Sequence, residues 1–147
     1  MRLWITWALI LVATEVEGAE TVCLNPGGNA AAIFRAEGIA ARILKNAVVA
    51  LTFKDNDHVC AGLPGAIVIH LSYETPADNH PGALAYSTAF EGTQVVVFYD
   101  RVMSVVRPSV VPFLLGHVLA HEIVHLLEGV EVHSESGVMK SRYDSEL

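Results

Sequence analysis

The stretch from Pro108 to Gly129 limits the folds open to this chain more than any other. Ser109 is a candidate N-cap, Pro112 sits where a first turn tolerates it, and Gly129 suits the position just past a helix end. Between them Leu115, Leu119, Ile123 and Leu126 fall on one apolar stripe, on the side away from the histidines. These signals predict a helix that ends near Glu128. Inside it the chain reads His121-Glu122-Ile123-Val124-His125. Residues four apart share one helix face, with Cβ atoms about 6 Å apart, so both imidazoles can reach one zinc ion. Glu122, beside the first histidine, is placed to act as general base toward a water. A helix with solvated His and Glu is the plainer alternative. His117 lies one turn earlier, but three histidines on one straight helix face cannot all surround a tetrahedral ion. It is expected to pack or to support a ligand.

Catalytic zinc takes three protein ligands and leaves one position open. After the glycine turn the next imidazole is His133. Gly129 to Val132 span at most about 13–14 Å extended, enough to bring His133 back to an ion held one turn down the helix. A third neutral ligand keeps the charge of the site low. Glu128, Glu131 and Glu135 are alternative third ligands if the turn differs.

A helical His-Glu-x-x-His, a glycine turn, a third His and then Met139 resemble the zinc site and Met-turn of the metzincin metalloproteases. His133-Ser134 is similar to the matrixin branch. Upstream, Pro81-Gly82-Ala83-Leu84-Ala85-Tyr86 is similar to the matrixin edge strand, which pairs with extended peptide substrates. The resemblance covers roughly residues 30 to 143. It implies one catalytic Zn2+ on His121, His125 and His133, with Glu122 as general base and Met139 as an apolar floor. It also implies that Ala83, Leu84, Ala85 and Tyr86 bind substrate. The chain departs from the family in spacing. Gly129 and His133 stand eight and twelve residues after His121, where the family has seven and ten. Tyr86 replaces a histidine that holds a structural zinc in the family, so none is expected there. Only eight residues follow Met139, so a pocket normally shaped by that segment is expected to be open or differently built.

The rest of the chain supplies the setting. Arg2 followed by an apolar run from Leu3 to Ala13, then Gly18 and Ala19, reads as a secretory signal peptide over residues 1–18. The run is too short to cross a bilayer core of about 30 Å, although an uncleaved anchor is the alternative. Export would place Cys23 and Cys60 in an oxidising compartment, where an even pair is most simply one disulfide. The sharper alternative is a thiol near the N-terminus that blocks the metal. No propeptide is expected between leader and domain. Of 147 residues, 52% are hydrophobic and 17% charged, which calls for one real core over residues 19–147. A net charge of −7 argues against nucleic acid as partner.

Ala30 to Asn46 has helical spacing, with Asn29 as candidate N-cap, Ile33, Ala40 and Leu44 on one stripe, and Phe34, Ala41 and Val48 on the next. Val48–Phe53, Ala66–Leu71, Ala83–Phe90 and Thr93–Tyr99 read as strands, the last two joined by a Glu91-Gly92 hairpin. Residues 54–58 read as a polar turn. The fold class is therefore α+β: a small mixed sheet of about four strands, a backing helix and the His-bearing helix, metzincin-like. Asp100-Arg101, before that helix, is expected to be an ion pair that shapes the loop. His58, His70 and His80 show no ligand spacing, and Tyr143 is expected at the surface. The expectation is a secreted or periplasmic zinc endopeptidase. It is expected to be monomeric, to have no stable membrane insertion once the leader is removed, and to take a peptide or protein substrate along residues 83–90. The alternative is a secreted metal-binding or interaction domain without productive cleavage.

Overall fold

The computed structural model describes residues 18–55, 57–87, 93–129, 133 and 139. The predicted leader, the Glu91-Gly92 turn, Glu131, Glu135 and Tyr143 lie outside the described residues. The elements run β1 (Glu20–Leu24), α1 (Ala30–Asn46), β2 (Leu51–Lys54), α2 (Asp57–Ala61), β3 (Ile67–Ser72), β4 (Ala85–Ser87), β5 (Gln94–Phe98), α3 (Tyr99–Val105) and α4 (Val111–Glu128). The class is α+β as expected, with five strands where about four were expected. Strand order is β2-β1-β3-β5-β4. Four strands are parallel, and β4 closes one edge antiparallel to β5.

Alternation along the strands divides the interior in two. Val22, Leu24, Ile67, Ile69, Val95 and Val97 face α1 and α4 and form the main core. Cys23, Cys60, Ala66 and Val68 form a smaller cluster on the opposite face. The helix α1 has the bounds that its spacing predicts. Ile33, Ala36, Ala40 and Leu44 are buried. The second predicted stripe is not buried, since Phe34 is 76% and Val48 90% exposed. Asn29 precedes α1 without capping it through its side chain; its amide instead donates to the Tyr99 hydroxyl at 2.9 Å.

Other boundaries also move. Val48 has φ 64°, and the chain doubles back through Val48 N–H to Lys45 O and Val49 N–H to Leu44 O. The strand predicted from Val48 therefore begins at Leu51. The polar turn predicted over 54–58 gives way to α2, which carries Cys60. The predicted strand Ala83–Phe90 is narrower at its start, where β4 begins at Ala85, and residues 88–92 lie outside the described residues. The helix α4 is capped by Val110 with no side-chain bond, not by Ser109, because Pro112 occupies its second position and Ser109 falls one residue too early. At its other end Gly129 takes φ 63° and returns its N–H to His125 O at 3.0 Å, the left-handed exit that a glycine adopts without strain.

Among the described residues α4 is the one helix long and apolar enough to cross a membrane, and most of it is buried inside the fold. It packs closely on α1 at Gly116, where a Cβ would lie 2.7 Å from Ile39 Cβ and 2.9 Å from the Ala36 carbonyl.

Candidate metal centre

The helix α4 is buried on more than its predicted stripe. Leu115, Leu119 and Ile123 enter the core, and so do His121, Glu122 and His125, which are only 7, 7 and 4% exposed. The fold therefore holds these three polar side chains in the interior, where each needs a partner.

For the two histidines the geometry supplies one. The His125 Nε2 lies 3.0 Å from His121 Nε2 and 3.2 Å from His133 Nε2. Four-coordinate zinc with Zn–N of about 2.0–2.1 Å sets its nitrogens about 3.3–3.4 Å apart, so the spacing suits a shared cation. The His121 and His133 rings lie within 18° of parallel, and His125 stands nearly perpendicular to both. Three ring nitrogens thus converge from two directions, and the three histidines could hold a metal ion. His121 and His125 come from adjacent turns of α4. His133 arrives beyond the Gly129 turn and is exposed, so the cluster opens to solvent on that side.

The His117 ring packs on Phe113 of the same helix at 4.3 Å, with its Nδ1 2.9 Å from the Phe113 carbonyl. Glu128 is exposed on the last turn. Met139 is half-buried, and the residues on either side of it lie outside the described residues. Cys23 and Cys60 form the expected disulfide, with Cα atoms 6.1 Å apart. Neither is a free thiol, and both belong to the small cluster across the sheet from α4.

The strand β4 forms an edge beside the helix that carries the histidines, with α4 packing against both β4 and β5. Leu84 O accepts the Phe98 N–H at 2.8 Å, and Tyr86 is paired with Val96. In an antiparallel ladder bonded positions alternate, so Leu84 and Tyr86 turn their backbone groups to β5 while Ala85 and Ser87 turn theirs to the outer edge. Of the four residues expected to bind substrate, Leu84 and Ala85 also pack on the core. The Tyr86 ring stacks on His80 at 4.2 Å.

Asp100 and Arg101, expected to shape the loop before α4, both grip the loop between β3 and β4 instead. Asp100 accepts the Thr75 N–H and hydroxyl, each at 2.8 Å. Burial acts to raise its pKa, but these bonds, with backbone N–H groups of Arg101 and of Asp100 itself, outweigh it and hold the carboxyl below its ordinary range. Arg101 gives Nη1 to the carbonyls of His80 and Ala83 at 2.7 and 3.0 Å, and Nη2 to those of Pro76 and Asn79 at 2.9 and 2.7 Å. Spacing in the sequence offers no sign of this, because the partners are main-chain oxygens.

Comparison with known proteins finds no matching family model, no matching curated protein and no matching solved structure.

Proposed function

We propose that this chain is an exported, metzincin-like zinc endopeptidase. The convergence of the Nε2 atoms of His121, His125 and His133 beside a buried Glu122 carries the reading. Zinc, when bound, supplies Lewis acidity that brings the pKa of a coordinated water toward about 7 and polarises a carbonyl. Glu122 would take a proton from the attacking water and pass it to the leaving amine. A site built only to hold an ion has no need of such a base and would fill its fourth position with protein. The outward backbone groups of Ala85 and Ser87 would pair with an extended peptide laid along the edge next to α4. The Cys23–Cys60 disulfide supports an oxidising compartment.

The deciding experiment joins metal analysis to cleavage of a generic peptide pool, with and without a chelator. One equivalent of zinc and chelator-sensitive cleavage are expected. One equivalent of zinc without cleavage would replace the peptidase with a metal-binding domain.

A further inference from the structure

Ten residues after the clasped Thr75, the chain enters β4 by way of two consecutive turns. Asn79 N–H bonds Pro76 O at 3.0 Å, and Ala83 N–H bonds His80 O at 3.1 Å. The second turn has Pro81 and then Gly82 at φ 78° in its centre, the pattern of a type II turn. The first carbonyl of each turn also accepts from Arg101, as do the carbonyls of Asn79 and Ala83. All four Nη hydrogens of one guanidinium are thus used on main-chain oxygens. The same guanidinium lies 4.5 Å from the centroid of the Phe98 ring. Phe98 is itself the β5 residue bonded to Leu84 at the entrance to β4. One side chain therefore joins the turns, the edge strand and its neighbour.

We infer that Arg101 is a positioning residue for substrate: it fixes the 76–83 turns and so sets the register and rigidity of the edge strand that an extended peptide must pair with. This rests on the peptidase reading for the identity of the ligand, and on geometry alone for the clasp. An unclasped strand would have to be ordered at each binding event, and that cost would weaken substrate affinity and leave the chemistry at Glu122 untouched. Lysine cannot replace the arginine, since three hydrogens on one nitrogen cannot serve four carbonyls.

Two measurements test the clasp and its role separately. Amide hydrogen exchange needs neither metal nor cleavage. In Arg101→Ala and Arg101→Lys the Tyr86 and Phe98 amides should exchange about tenfold faster or more, while Ile69 and Leu119 in the core keep their protection. Unchanged exchange at Tyr86 and Phe98 overturns the clasp. With the zinc-loaded full chain, both variants should raise KM for a peptide pool substrate about tenfold and leave kcat within about threefold. The same loss should appear as weaker binding of that peptide when Arg101→Ala is added to Glu122→Gln. Faster exchange with unchanged KM and affinity overturns the role in substrate positioning. A wild-type chain that binds zinc but neither cleaves nor binds peptides overturns the substrate role together with the peptidase reading, and the exchange result still decides the clasp.

Discussion

Glu122 and the three histidines differ in what their loss should do. Glu122→Gln keeps a side chain of the same shape beside His121, so zinc should remain near one equivalent while turnover falls by roughly 10²–10⁴. Loss of metal in that variant, read by metal analysis, would show that Glu122 is a ligand. His133→Ala removes one of the three converging Nε2 atoms and should weaken zinc binding far more than His117→Ala, whose ring packs on Phe113 and is not one of those three. Competition with a chromogenic chelator ranks the two, and equal affinities would remove His133 from the site. The pairing of His121 with His125 could be read from the chain because helical spacing is a local rule. His133 could be read because it is the next imidazole after a glycine turn. Arg101 could not, since its four partners are carbonyls that every residue carries.

The helices and strands were readable in proportion to how local their causes are. The bounds of α1 follow from its buried stripe, and the end of α4 follows from Gly129. The strand β1 was missed because five residues just after the predicted leader show no alternation; both faces are covered, and Val22, Cys23 and Leu24 are all fully buried. The seven residues of α3 are too few to show a helical period, and they are held by Tyr99 and Val102, which are buried against α4 and β3. Close approach of α1 and α4 depends on Gly116. Gly116→Ala should destabilise by about 1–3 kcal/mol, because the new methyl meets Ile39 and a backbone carbonyl that cannot yield freely. Chemical denaturation measures it, and an unchanged midpoint would mean that the helices separate at little cost. Also on α1, burial and then the nearby Asp55 raise the Glu37 pKa from 4.5 to about 7. The folded state holds this proton more tightly than the unfolded chain, so stability falls as pH rises from about 4.5 through 7 and levels above. Glu37→Gln should therefore raise the melting temperature by about 3 °C at pH 8, after allowance for solvent screening, and by nothing at pH 4. Equal gains at both pH values would tie the effect to packing instead of charge.

Taken whole, the molecule places its covalent link and its histidine cluster on opposite sides of one sheet. The disulfide spans 37 residues and ties α2 to β1. Its reduction should remove about 3–4 kcal/mol of stability in the chain-entropy model and leave zinc affinity near its starting value while the chain stays folded. Calorimetry and metal titration under reducing and oxidising conditions check both halves. A matched loss of affinity would mean that the sheet transmits strain between its faces. The place of β1 has a further consequence, for synthesis. A ribosome delivers β1 before the other strands, yet in the sheet β1 lies between β2 and β3, so one of its edges waits about thirty residues for β2 and the other about fifty for β3, several seconds at roughly 5–20 residues per second. Unpaired edges of an apolar strand invite wrong partners. The sheet cannot close around β1 until about half of the chain has been made, and on the proposed export route that delay keeps the nascent chain threadable.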